Sequence, residues 1–149
     1  MIITFLGHST INYVNGLAEK VEKTIVDNIA PGHATIFYCG GYGDFDNLCA
    51  RVCLSIKKKN NNCELIYITP YITDSMQKRI KNTMSTYSFD SVIYPPLEKV
   101  PLRLAIIKRN EWMIDQSDLI IAYVNYSFGG SYNSLKYAER KKKRIINLA

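Results

Sequence analysis

Nowhere do the 149 residues contain an uninterrupted apolar run approaching the ~20 needed to cross a bilayer, so a membrane partner is not expected. The opening Met1-Ile2-Ile3-Thr4-Phe5-Leu6 has no basic stretch before it and is too short for a signal-peptide core. It reads as a first strand, and the chain is expected to be cytoplasmic. There is no internal repeat and no low-complexity linker, and Asn60-Asn61-Asn62 is only a short polar loop. A chain of this size is expected to form one domain, residues 1–149, around a sizeable core. The four cysteines, Cys39, Cys49, Cys53 and Cys63, lack the paired Cys-x-x-Cys spacing of a zinc site. They read as small buried hydrophobes in a reducing compartment, and no metal is expected.

Acidic residues are in deficit: 19 Lys and Arg against 13 Asp and Glu leave a net charge of +6. Much of the excess sits in Lys57-Lys58-Lys59 and in Arg140-Lys141-Lys142-Lys143-Arg144. Both runs end helix-like stretches, where cations complement the helix dipole. Solvated helix ends are the plainer reading, and a phosphate-tracking surface for nucleic acid is the alternative.

What is present is a strict alternation. Apolar β-rich runs occupy Ile2–Leu6, Ala34–Tyr38, Glu64–Ile68, Ser91–Tyr94, Leu119–Val124 and Ile145–Leu148. Helix-like patterns occupy Gly16–Ile29, Phe45–Lys58, Thr73–Met84, Arg103–Gln116 and Ser131–Lys142. Leu17, Val21, Ile25 and Ile29 mark a core-facing stripe in the first helix, and Leu48, Val52 and Ile56 do so in the second. Asp44 precedes that second helix as an N-cap candidate. Continuous apolar runs such as Leu119-Ile120-Ile121-Ala122 suit strands buried on both faces. The expected fold class is α/β: a three-layer, doubly wound, mainly parallel sheet of about six strands with helices on both faces.

In such a sheet the strand-to-helix loops gather on the carboxyl edge, where ligands bind. Those loops are the chemically unusual parts of this chain. The first is Gly7-His8-Ser9-Thr10, and the second is Gly40-Gly41-Tyr42-Gly43-Asp44 running into Phe45. The third is Thr69-Pro70-Tyr71. The fifth carries Ser127, Gly129, Gly130 and Ser131. Glycines between a strand and a helix let backbone amides close around an anion, so these residues are the candidate ligand contacts. A β-branched residue at Gly41 is accordingly expected to obstruct a phosphate without unfolding the chain.

Several segments recur in the order of a known family: Phe5-Leu6-Gly7-His8, Tyr38-Cys39-Gly40-Gly41-Tyr42-Gly43-Asp44-Phe45-Asp46, Arg109-Asn110-Glu111-Trp112-Met113 with Ser117-Asp118, and Tyr123 followed by Gly129-Gly130-Ser131 and Tyr137-Ala138. In these the chain resembles the SLOG superfamily, in particular its small free-standing YpsA-like branch. The resemblance implies a Rossmann-like domain that binds a nucleotide-derived ligand, such as an ADP-ribose or NAD-like compound or a cyclic nucleotide signal. It also implies a homo-oligomer, a dimer or larger, and no required cofactor. It places Arg109 at the ligand.

The hydrolytic members of that superfamily carry Pro-Gly-Gly-x-Gly-Thr-x-x-Glu and an Arg-Lys pair. Here Cys39 stands for the proline, Asp44 for the threonine, Asn47 for the catalytic glutamate and Asn110 for the lysine. An amide cannot replace a carboxylate in stabilising an oxocarbenium ion or orienting water. The resemblance thus implies binding without turnover, and a free-standing binder would act by sensing or sequestering its ligand, for example in bacteria–phage conflict. The alternative is an N-glycosidic hydrolase or transferase using Asp44, Asp46 or Glu111, and a second alternative is single-stranded DNA binding.

Overall fold

The computed structural model describes residues 1–12 and 14–149. In chain order the strands are β1 (Ile2–Gly7), β2 (Thr35–Cys39), β3 (Cys63–Ile68), β4 (Ser91–Ile93), β5 (Leu119–Tyr123) and β6 (Arg144–Asn147). The helices are α1 (Leu17–Asn28), α2 (Asp44–Lys59), α3 (Gln77–Thr86), α4 (Ala105–Gln116) and α5 (Gly130–Arg140). All five strand pairings are parallel, in the order β4-β3-β2-β1-β5-β6. The expected α/β class is the observed one.

Alternation along each strand divides the two faces. Ile3 and Phe5 of β1, Phe37 and Cys39 of β2, and Leu65 and Tyr67 of β3 pack with Leu17, Val21 and Ile25 of α1 and with Phe45, Cys49 and Cys53 of α2. On the other face Leu6, Ile120 and Ala122 meet Ile114 of α4 and Leu135 and Ala138 of α5. Tyr38, Ile66 and Ile68 meet Met113 there, and Trp112 stacks on Tyr38 at 5.6 Å. The four cysteines are buried and unpaired, as read from their spacing.

Several element ends coincide with the sequence reading and the others differ by one to four residues, some with a clear physical cause. A 3-10 turn, Asp74–Met76, precedes α3, so that helix starts at Gln77 instead of Thr73. A second turn, Leu102–Leu104, delays α4 to Ala105. β4 is an edge strand that stops at Ile93, two residues before Pro95, whose missing N–H ends the ladder. The N-cap of α2 is Gly43 and not Asp44; Asp44 is the first helical residue, and its carboxylate accepts the Ile11 N–H at 3.0 Å.

The chain runs outward from β1 to β4, returns to place β5 against β1, and continues to β6. The loops leaving β1 and β5 therefore diverge in opposite directions. A crevice at the carboxyl edge is the geometric consequence.

Candidate functional site

A cavity of about 490 Å³ fills that crevice. Its walls come from the ends of β1 and β2, from α4, and from the loop that starts α5. Of the residues picked from the sequence it gathers Gly7, Ser9, Gly40, Tyr42, Gly43, Arg109, Gly129, Gly130 and Ser131, with Asp46 among the acids.

Others stand aside. Gly41 and Asn47 face a neighbouring cleft between α2 and α3, and Asp44 lines a third hollow beside α1. Phe45 is fully buried core. Thr69 is committed to its own turn, donating to the Tyr71 carbonyl at 2.8 Å, and Pro70 is buried. Tyr71 packs edge-on against Tyr42. Thr10 and Ser127 are exposed outside the cavity wall, and Glu111 pairs with Lys108 at 3.2 Å. His8 lies behind the wall, against Ser131.

The two glycine-rich loops differ in what fills them. A Cβ on Gly7 would strike the Phe45 ring at 2.3 Å, and one on Gly43 would strike the Ser9 backbone at 2.6 Å. Gly41, at φ +69°, has the Tyr67 ring 2.7 Å from where its Cβ would be. The expectation of a tolerated side chain at Gly41 is thus corrected: Tyr67 occupies that space, so the lesion falls on packing. Gly129 and Gly130 have no atom within 4 Å of a built Cβ. The Gly40–Gly43 loop is closed by the protein itself, and the Gly129–Gly130 loop is open.

Charge separates them as well. The first turn of α2 carries Asp44 and Asp46, and Asp46 already accepts the Tyr42 N–H at 3.1 Å. The first turn of α5 has no acid, and its N-cap, Gly129, supplies no side-chain cap. Its leading N–H groups have no partner within the helix. Ser131 and Ser134 line the cavity three apart on one helical face. Ser134 is only 6% exposed.

Arg109 is the most heavily buried charge, at 1% exposure. Its Nη1 donates to the carbonyls of Gly40 (2.6 Å) and Ile68 (2.7 Å), and its Nε donates to Asn110 Oδ1 (2.9 Å). It therefore binds together the carboxyl ends of β2 and β3. Nη2 has no protein acceptor among the described residues, and Arg109 lines the cavity. Burial pulls the guanidinium below its usual range, and the charge of Asp46 opposes this. The two face each other across Gly40, whose missing side chain leaves them room. Burial raises Asp46 to about 6 despite the Arg109 charge and the Tyr42 N–H.

Sequence reasoning did not single out Ser134, Ile106 or Phe128. Phe128 is 70% exposed at the mouth of the cavity, stacked on Tyr126 at 4.6 Å, and Tyr126 in turn stacks on His8 at 3.7 Å. The signals were an aromatic inside a glycine-rich loop and the three-residue spacing from Ser131 to Ser134. The basic runs point away from this site. Lys57 pairs with Asp90, and Lys143 donates to the carbonyls of Asp115 and Ser117 at the end of α4. Both contacts lie toward the amino edge of the sheet, at the far ends of their helices.

No family model matches the chain, and no curated protein matches it in sequence. In structure it is similar to DNA processing protein A from Helicobacter pylori, which binds single-stranded DNA, with a TM-score of 0.64 at 14% identity. The match covers 97% of this chain, which spans 63% of the length of that one. This bears out the Rossmann-like fold that the SLOG resemblance implied. Among the described residues no helix is long and apolar enough to cross a membrane, and no three or more His, Cys, Asp or Glu side chains cluster as metal ligands would.

Proposed function

We propose that the chain binds a nucleotide-derived small ligand in the carboxyl-edge cavity, as its resemblance to the YpsA-like branch suggests. The phosphate rests on the start of α5, against Gly130, Ser131, Ser134 and Arg109 Nη2. The base lies toward Tyr126 and Phe128. The observation that carries this reading is the contrast between the two helix starts. α5 offers uncapped amides, open glycines and no acid, whereas α2 offers two carboxylates and glycines filled by Tyr67, Ser9 and Arg109. An anion is attracted to the first and repelled by the second.

Single-stranded DNA is a second reading, favoured by the fold likeness to a protein that binds it. It shares the phosphoryl-plus-base chemistry. The +6 charge is weak support, because the basic runs sit toward the opposite edge.

Calorimetry with nucleoside monophosphates, NAD, ADP-ribose, cyclic dinucleotides and oligothymidine separates the readings. Saturable binding of a small nucleotide, little changed by salt, is the expected result. Binding confined to oligothymidine, and falling steeply with salt, favours DNA. No binding of any of these contradicts both. Chromatography of the same samples for released base tests turnover, with Asp46 the carboxyl that lines the cavity.

A further inference from the structure

His8 is 3% exposed, wedged between the loops that leave β1 and β5. Its Nε2 accepts the backbone N–H of Asn125 at 3.0 Å, and its Nδ1 lies 2.7 Å from Ser131 Oγ. A ring nitrogen that accepts an N–H bond carries no proton of its own. In the neutral imidazole the proton is therefore on Nδ1 and is donated to the serine oxygen. Burial holds the ring below its ordinary range, against a smaller opposing pull from the Asn125 side chain. Tyr126 lies flat on the ring, 3.7 Å away and 8° from parallel, which fixes its plane.

The consequence falls on Ser131. One lone pair of its oxygen is occupied by a donor, so its own hydrogen must point elsewhere, and Ser131 lines the cavity. Two further groups of that wall are the Ser134 hydroxyl and the Arg109 guanidinium, whose Nη1 and Nε are the nitrogens bonded to protein acceptors. Both can donate. We propose that His8 is a positioning residue that makes Ser131 a donor toward the cavity, so that this end selects an oxyanion whose outer atoms only accept. A phosphoryl or sulfate group, whose outer oxygens accept, fits a donor held there. This rests on the nucleotide reading above and names the group held at α5.

The test uses the full chain labelled with nitrogen-15, and sulfate as the probe. Long-range nitrogen–proton spectra of the unliganded protein should show His8 protonated on Nδ1. Sulfate titration should shift the Gly130 and Ser131 amides in the wild type. His8→Phe keeps a ring under Tyr126 but loses the donor, and should weaken sulfate binding roughly three- to tenfold. His8→Asn puts an amide N–H in place of Nδ1–H and should recover most of that loss. Ser131→Ala gives the same loss as His8→Phe and serves where that variant does not fold. A proton on Nε2, or equal sulfate affinity for wild type, His8→Phe and Ser131→Ala, overturns the inference and leaves the nucleotide reading standing. Absence of any sulfate shift at Gly130 and Ser131 in the wild type overturns both.

Discussion

Nη1 of Arg109 sits 2.6 Å from the carbonyl oxygen of Gly40, a contact spanning 69 residues between α4 and the end of β2. With the second bond to Ile68 it makes this arginine a strut of the carboxyl edge as well as a cavity wall. Resemblance placed Arg109 at the ligand; the structure gives it a prior structural duty.

Arg109→Met should therefore cost stability before it costs affinity. Two buried carbonyls lose a charged donor, which amounts to about 3 kcal/mol. Urea denaturation checks this, and an unchanged midpoint would show that the two carbonyls find other partners. The milder Arg109→Lys keeps a cation that can donate to both carbonyls from one nitrogen but loses the Nε bond to Asn110, and should fall in between.

The glycines give a paired prediction. Gly41→Ala forces a positive φ on a residue with a Cβ and drives that atom into the Tyr67 ring. A loss of about 2 kcal/mol is expected. Gly130→Ala meets open space and should leave the midpoint within about 0.5 kcal/mol. Equal effects in the two variants would contradict the distinction between a filled loop and an open one.

How much of this could be read from the sequence follows from distance along the chain. Strand and helix order came from local periodicity, and the carboxyl-edge loops came with it. The fillers of the Gly40–Gly43 loop could not be read: Tyr67 comes from β3 and Arg109 from α4. A glycine that admits a neighbour and one that admits a ligand look alike in sequence. Two local signals were legible, the acids at positions 44 and 46 that disfavour an anion at α2, and the 131/134 serine pair on α5. His8 was picked as a ligand contact, and its supporting place behind Ser131 depends on a pairing 123 residues long.

Asp46 makes stability depend on pH. Its folded pKa, about 6, lies above the ordinary 3.8 of an aspartate, so near pH 5 the folded state holds a proton that the unfolded state releases. The stabilisation from this group is complete below about 4 and is lost as pH rises through about 6. Asp46→Asn retains an acceptor for the Tyr42 N–H without the charge. It should be more stable than wild type at pH 7, by at most about 3 kcal/mol, with the difference vanishing near pH 4. An identical pH profile in both proteins would contradict the raised pKa.

The cysteines should be silent in the folded protein. All four are buried, and burial raises the Cys49 and Cys53 thiols well above their usual range. Ellman's reagent is expected to modify none of them under native conditions and all four in denaturant. Rapid native labelling of even one thiol would contradict the packing of α2 on β2 and β3.

The central claim, that a nucleotide phosphate is held at the start of α5 and not at the start of α2, is tested most directly by an amide spectrum. The protein labelled with nitrogen-15 is titrated with adenosine 5′-monophosphate, and shifts are compared at the two loops. Saturable shifts centred on Gly130, Ser131 and Ser134, with smaller changes at Gly41 and Gly43, are predicted. Shifts centred on Gly41 to Asp44, or none at saturating nucleotide, would contradict the account.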